Sequence, residues 1–361
     1  MKLTPTLFLY LARVFFMNTL LFIMGLAAII YLFDTLELLR RASKYADVSL
    51  GTVLYMGAFK LPEVTQLLMP FAVFYSAILT YWQLTRRSEL AVARASGFSV
   101  WQFSLPIIGV AIIIGSVQIM AINPLGALAL KRFEVMERQY LERQSSQIAF
   151  FKDGLWLRQS HEEGYVIIHA PDITQPDWVM KNPTVLFFND DDRLTERLDS
   201  KSGHLKPGYW TFEELINNQE PDKGNAYVLP TTLTQQDLED SFLSPESLSF
   251  WTLPSHIRTL ENAGFNALKL KVYFQSLLSQ PLFYAALILL AATVSMRPPR
   301  LRGGAGLIMI GTMGGFILFF FINFLQALGI SGQIPIILAA WAPVFITAMI
   351  GGSILLILED G

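Results

Sequence analysis

Several features that are common in enzymes are missing from this sequence. It has no cysteine, which excludes disulfide bonds, thiolate metal sites and cysteine nucleophiles. Its four histidines lack the spacing of metal ligands, and no nucleophile accompanies an acid and a base, so we assign no catalytic residue and no metal site. The phosphate-binding pattern Gly-x-x-x-x-Gly-Lys-Ser/Thr is absent too, so ATP-driven work by that route needs a separate subunit.

Charge is also scarce, and long apolar runs take its place. Charged residues make up 16% of the 361 residues, against about 25% in soluble domains. A helix needs roughly 20 apolar residues to cross the hydrocarbon core of a bilayer. Stretches of suitable length occur at 7–33, 53–82, 101–122, 272–296, 305–328 and 334–357. The sequence therefore predicts an α-helical polytopic membrane protein with six transmembrane helices.

Basic residues in the short loops indicate the orientation, because cytoplasmic loops are enriched in lysine and arginine. The loop between the second and third spans contains Arg86, Arg87 and Arg94. The loop at 297–302, between the fourth and fifth spans, contains three arginines and no acid. Both loops are predicted to be cytoplasmic, which places both termini inside and the long region between the third and fourth spans outside.

This outer region begins and ends with helical patterns. A charged helix is predicted at 128–144, as an outward continuation of the third span. A second helix, at 253–271, leads back to the membrane. Between them, short β segments alternate with turn residues such as Ser202-Gly203 and Pro207-Gly208. In the stretch at 203–211 polar and apolar residues alternate, as they do in an edge strand of a small sandwich.

These patterns predict three parts along the chain. Residues 1–123 contain the first three spans, with a short cytoplasmic helix at about 86–97. Residues 124–271 form an inserted all-β domain of the sandwich or jellyroll type, with flanking helices. Residues 272–361 contain the last three spans.

The cytoplasmic loop at 86–97 is the most informative stretch. Ser88 is predicted to cap a short helix with Glu89 in its first turn, and Gly97 ends that helix with a left-handed residue. Two interpretations remain open, an ordinary connector with cytoplasmic arginines and a coupling helix that docks on a motor protein. The candidate coupling residues are Arg86, Arg87, Ser88, Glu89, Ala91, Val92, Ala95 and Gly97.

Basic residues also cluster on the predicted outer side. Arg40 and Arg41 follow the first span, just beyond Asp34, and their position runs against the usual charge distribution. Guanidinium and ammonium groups bind phosphate well, so a phosphorylated lipid head group would suit them. Further candidates for this lipid site, on the 128–144 helix, are Lys131, Arg132 and Arg138. For that helix, salt bridges to neighbouring glutamates are the favoured interpretation.

The fifth span is rich in glycine and phenylalanine. Large aromatic side chains beside glycines are typical of a helix–helix contact or of a cavity for acyl chains, and plain exposure to lipid is the alternative. The residues assigned to a lateral cavity or gate are Phe316, Phe320 and Asn323.

Three stretches of the sequence resemble the LptF/LptG permeases of lipopolysaccharide export, and the resemblance extends over nearly the whole chain. They are Arg87-Ser88-Glu89-Leu90 with Ala95-Ser96-Gly97, Leu61-Pro62-Glu63-Val64 with Met69-Pro70, and Ser279-Gln280-Pro281-Leu282. The first stretch is the most specific and is more similar to LptG than to LptF. Tyr31 departs from the family pattern, because some relatives have a basic residue at that position.

The resemblance implies a permease subunit of an ABC transporter, with six spans and a periplasmic jellyroll, in the inner membrane of a Gram-negative bacterium. Such a subunit pairs with LptF and with two copies of the ATPase LptB, which bind ATP and magnesium, so it needs no cofactor of its own. It works with LptC and the periplasmic bridge LptA on lipopolysaccharide, without nucleic acid. The resemblance places Glu89 in the coupling helix and Arg40 and Arg41 at lipid phosphates, with Asp34 at an acidic position beside them. An envelope scaffold or sensor without transport activity is the alternative.

Overall fold

The computed structural model describes residues 4–43, 48–141, 155–161, 164–174, 179–189, 192–216, 226–231, 244–262, 266–295 and 304–360. The helices before the β domain are α1 (Pro5–Ala42), α2 (Leu50–Arg86), α3 (Glu89–Ala95), α4 (Val100–Val117) and α5 (Asn123–Leu141). Those after it are α6 (Leu253–Asn262), α7 (Leu268–Ser295), α8 (Gly304–Ile330) and α9 (Ile336–Asp360). The chain divides into a helical unit (Met1–Phe133, Pro245–Trp251 and Leu268–Gly361) and a mostly β unit (Glu134–Ser244 and Thr252–Ala267).

The six predicted spans are confirmed. Helical segments long and apolar enough to cross a membrane are, within the described residues, Pro5–Ala42, Leu50–Arg86, Val100–Glu137, Leu268–Ser295, Met313–Ile330 and Ile336–Ile357. The first helix is longer than its apolar run, because no glycine or proline interrupts the polar residues that lead to Ala42. The helix predicted at 253–271 is instead two helices, α6 and the beginning of α7.

Helix α2 is continuous in spite of two internal prolines, Pro62 and Pro70. A proline has no N–H, so Pro70 leaves the carbonyl of Gln66, four residues earlier, without its helical donor. The side chain of Gln118 donates to that carbonyl at 3.5 Å. A neighbouring span thus replaces the lost hydrogen bond, which is how prolines are tolerated at membrane depth.

The same compensation carries the third span past Pro124. A π-helical turn, Gln118–Ile122, connects α4 to α5 without a break. Pro124 cannot donate to the carbonyl of Met120, and the indole N–H of Trp251 donates to it instead at 3.3 Å. The predicted helical continuation of the third span is therefore confirmed as far as Leu141, while 142–144 lie outside the described residues.

Strands of the β unit are all antiparallel to their partners. They are β1 (Leu155–His161), β2 (Gly164–Ala170), β3 (Asp172–Thr174), β4 (Val179–Lys181), β5 (Thr184–Phe188), β6 (Leu194–Lys206), β7 (Tyr209–Leu215) and β8 (Ala226–Pro230). The pairing order is β1-β2-β5-β6-β4-β3, and β7 joins β6 to β8. The long β6 pairs first with β5 and then with β4 and β7, so it belongs to both parts of the sheet.

Two predictions for the β domain are wrong. Ser202-Gly203 is not a turn but lies inside β6, where a Cβ on Gly203 would approach the ring of Phe212 to 3.0 Å. The glycine therefore fits close packing rather than a change of direction. The stretch at 203–211 is not an edge either, because β7 lies between β6 and β8, and Trp210 is fully buried. The turn at Pro207-Gly208 is confirmed, with Gly208 at φ +89°.

Helices α4 and α7 make a close contact that gives the first prediction. A Cβ added to Gly115 would lie 2.6 Å from the Cα of Pro281, whereas nothing lies within 4 Å of a Cβ on Gly109 in the same helix. We expect Gly115→Ala to lower the thermal unfolding midpoint of the detergent-solubilised protein, because the two backbones must separate. Gly109→Ala should leave it unchanged or raise it, since alanine favours the helix by about 0.5–1 kcal/mol.

Size-exclusion chromatography of heated samples measures both midpoints. Equal effects of the two substitutions would contradict the contact between α4 and α7.

Candidate functional site

Helix α3 connects the second and third spans through two left-handed residues. Ser88 lies before the helix at φ +60° and its side chain makes no capping hydrogen bond, so the predicted cap is wrong. The reversal of the chain after α2 requires this conformation at Ser88, which turns the residue away from capping geometry. Gly97 has φ +83°, so the predicted left-handed end of the helix is confirmed.

The two faces of α3 have different environments. Leu90 and Ala93 are buried in an apolar cluster. Their partners in that cluster come from three spans and are Leu11 of α1, Leu84 of α2 and Phe103 of α4. On the other face Ala91, Val92 and Ala95 are exposed, and Val92 is 65% exposed. The helix is therefore fixed to the membrane part by one side and presents small apolar side chains on the other. The remaining candidate coupling residues Arg86, Arg87, Ser88 and Gly97 are exposed as well.

Glu89 begins this helix and is held by two neighbours. The hydroxyl of Tyr10, on α1, donates to Glu89 Oε1 at 3.2 Å, and Arg87 Nη1 lies 3.9 Å from the same oxygen. The Glu89 side chain is 34% exposed, so it remains accessible from outside. Tyr10 was not among the residues identified from the sequence, because 79 residues separate it from Glu89.

The acidic residue at the end of the first span has a partner in the second. Lys60 Nζ lies 3.3 Å from Asp34 Oδ2, with side-chain exposures of 34% and 27%. The same ammonium group lies 5.9 Å from the ring centroid of Phe133 on α5. Tyr31 donates its hydroxyl to the carbonyl of Leu54 at 3.1 Å. The ion pair of Asp34 with Lys60 therefore lies next to α5, the helix that contains Lys131 and Arg132.

The predicted lipid-site cations differ in their surroundings. Arg40 is 76% exposed at its side chain and forms an ion pair with Glu37, with Nη2 and Oε1 2.7 Å apart. Arg41 occupies the next position on α1 and is partly buried. Lys131 and Arg132 are exposed on α5. Arg138 lies on the same helix, but its side chain is outside the described part of the structure.

The three candidate gate residues do not share one environment. Phe316 and Phe320 are 56% and 68% exposed, one helical turn apart on the outer surface of α8. Asn323 also lines a cavity of about 190 Å³ within the helical unit, and its side-chain N–H donates to the carbonyl of Phe319 at 2.8 Å. The two phenylalanines are therefore available for contact with lipid or with a partner, whereas Asn323, although exposed, also borders this cavity.

Comparison with known proteins assigns the family. The profile of the lipopolysaccharide export system permease LptF/LptG matches residues 9–358. The lipopolysaccharide export system permease protein LptG of Escherichia coli strain K12 is 24% identical over 338 residues, which cover 91% of this chain and 90% of that protein. LptG of Haemophilus influenzae strain Rd is 23% identical over 339 residues, with 90% of each chain covered. The match includes all six spans and the β domain, so the chain belongs to the LptF/LptG family of lipopolysaccharide export permeases.

Proposed function

We propose that this chain is the LptG-type permease subunit of an ABC transporter. It takes lipopolysaccharide from the outer leaflet of the inner membrane and passes it to a periplasmic bridge. The family match over residues 9–358 carries this proposal. Both termini lie in the cytoplasm and the β domain in the periplasm, which is the orientation that the arginine-rich loops favour.

The work is divided between subunits. The sequence has no phosphate-binding loop, so two copies of an LptB-type ATPase bind ATP and magnesium and supply the energy. An LptF-type permease completes the membrane part, and LptC- and LptA-type proteins receive the lipid. This chain then contributes a coupling contact on the cytoplasmic side and a lipid contact on the outer side, and performs no catalysis itself.

The two faces of α3 support its role as the coupling helix. Its inner face is committed to Leu11, Leu84 and Phe103 within the chain. Small exposed side chains on its outer face allow a groove of another protein to approach closely. Glu89 lies at the first turn of this helix, where a cation of the ATPase can replace Tyr10 as its partner. A push on α3 then acts on α1, α2 and α4 together.

The lipid contact is assigned to the outer end of α1. The Arg40–Glu37 pair is exposed, and such pairs contribute little to stability, so a phosphate can displace the carboxylate at small cost. Arg41 follows it, and Lys131 and Arg132 supply further positive charge from α5. Asp34 takes a different part in this proposal, because its ion pair with Lys60 fixes α1 against α2 below the phosphate site.

A pull-down of the tagged chain from its native host tests the proposed function through α3. We expect mass spectrometry to identify an ATPase and a second six-span homologue. Val92→Asp should remove the ATPase but not the homologue, because a charge then occupies the docking face. It should change the free energy of unfolding by no more than about 0.5 kcal/mol, which is the usual range for surface substitutions.

Leu90→Ala is the matched control on the buried face of the same helix. It should lower stability by about 2–5 kcal/mol, because it leaves a cavity. Recovery of envelope proteins alone, also after crosslinking, would favour the scaffold alternative. Retention of the ATPase by Val92→Asp would remove the outer face of α3 from the coupling site.

Charge reversal tests the lipid contact. We expect Arg40→Glu with Arg41→Glu to weaken binding of lipopolysaccharide to the purified complex at least tenfold, since a charge-assisted hydrogen bond contributes about 1.5–3 kcal/mol. Binding to the unaltered protein should also weaken at higher salt. Lys201→Glu with Lys206→Glu changes the net charge equally at exposed positions on β6 and should have no such effect. Equal affinities for the two double variants would rule out a specific site at α1.

A further inference from the structure

The helical unit contains a cavity of about 190 Å³ that four spans surround. Its walls come from α2, α7, α8 and α9, and Pro70 of α2 and Pro343 of α9 are among the lining residues. A proline inside a helix lacks one hydrogen bond and disturbs the regular packing of neighbouring helices. The cavity therefore follows from the sequence, since two of its walls contain such a proline.

Glycines fix α8 on both sides of the cavity. Near one end, a Cβ on Gly311 would lie 2.8 Å from Ile78 Cδ1 of α2. Near the other end, a Cβ on Gly329 would lie 2.5 Å from the Cβ of Ala339 on α9. Because the helix touches its neighbours closely at these two points, the space between them is bounded at both ends and is a feature of the packing.

The cavity has a polar end and an apolar end. Its polar end adjoins the helix ends at Leu268, Ile330 and Ile336, which face outward in the proposed topology. Amide and hydroxyl side chains line this end, namely Gln66, Ser276, Ser279, Gln280, Asn323 and Gln326. The opposite end is lined by Phe74, Leu287, Leu318 and Val344. From Gln66 to Phe74 the helix rises about 12 Å, at about 1.5 Å per residue.

The side chains that line the cavity are uncharged, and at least one polar atom among them has no hydrogen-bond partner in the described structure. The lining residues include neither acids nor bases. Gln326 donates to Ser276 Oγ at 3.1 Å, whereas Gln280 Oε1 is buried and has no partner among the described residues. A charged group would be costly at this depth, but a hydroxyl, ester or amide would find partners.

We propose that this cavity binds one acyl chain of a membrane lipid, with the ester, amide or hydroxyl group near the chain's head end among the polar side chains. The apolar end then takes the hydrocarbon. The site is distinct from the exposed face at Phe316 and Phe320, because neither residue lines the cavity. The cavity lies between α8 and helices α2, α7 and α9, so a bound acyl chain would fill the space between α8 and the rest of the helical unit. Binding of an acyl chain in the cavity does not depend on the proposed function. Any role of that binding in export does rest on the proposed function.

Photocrosslinking tests the proposal in the complete complex. The complex is reconstituted either in phosphatidylethanolamine vesicles whose lipid has a diazirine in one acyl chain, or in unlabelled vesicles with diazirine-labelled lipopolysaccharide. After irradiation, mass spectrometry maps the adducts. We expect adducts at Phe74, Leu287 or Val344 in at least one arm. Adducts from phosphatidylethanolamine identify a structural lipid, and adducts from lipopolysaccharide alone identify a chain of the exported lipid.

Two tryptophan substitutions on α9, one inside the cavity and one outside it, test whether the adducts depend on free space in the cavity. Ala340→Trp places a large ring in the cavity and should lower these adducts roughly tenfold, because the chain is excluded. Ile337→Trp adds the same ring to a position of α9 that is 66% exposed and should leave them unchanged. If Ala340→Trp fails to fold, Ala340→Leu is the smaller replacement with the same expected direction.

Two results would overturn the proposal. One is adducts confined, in both arms, to exposed residues of α9 such as Phe345 and Met349. The other is an unchanged adduct yield at the cavity in a folded Ala340 variant. Since phosphatidylethanolamine adducts do not require transport, they would persist even if the export function were wrong.

Discussion

Polar groups at membrane depth need partners inside the protein, and α2 provides them to the spans on both sides. Its Ser76 forms a hydrogen bond of 2.8 Å with Thr19 of α1, and its Tyr81 donates to Ser104 of α4 at 2.9 Å. Lys60 of the same helix forms the ion pair with Asp34. These pairs link α1 and α4 to α2, and the hydroxyl of the fully buried Tyr81 would be costly to leave without its partner in hydrocarbon.

The arrangement separates a well-packed part of the membrane domain from a more exposed one. In the most apolar 18-residue segment of α2, 56% of the residues are buried, whereas in the corresponding segment of α8 only 11% are. Helix α3, the proposed coupling helix, packs on the helical unit through Leu90 and Ala93. In the proposed function, force from an ATPase would reach the proposed phosphate site at the end of α1 through these connected helices, while α8 presents an exposed surface to lipid or to a partner permease.

The sequence predicts the six spans well, because length and hydropathy alone determine them. It also predicts the helix at Glu89–Ala95 and its left-handed end at Gly97, since local chemistry decides both. Contacts between distant residues are different in kind. The pairs of Asp34 with Lys60 and Tyr10 with Glu89 depend on how helices pack, and periodicity does not contain that information.

The incorrect predictions have the same origin. Ser88 has the right residue type for a cap, but the reversal between two helices imposes a left-handed conformation on it. Gly203 has the residue type of a turn, but it lies within a strand, where a Cβ would approach the ring of Phe212 to 3.0 Å. In each case a tertiary contact outweighs a local preference.

The most direct test of the export function is depletion of this chain in its native host, followed by separation of the inner and outer membranes and measurement of newly made lipopolysaccharide in each. We predict that lipopolysaccharide accumulates in the inner membrane and that re-expression of the unaltered chain restores its arrival at the outer membrane. Undiminished arrival at the outer membrane in depleted cells would contradict the assignment of this chain to lipopolysaccharide export.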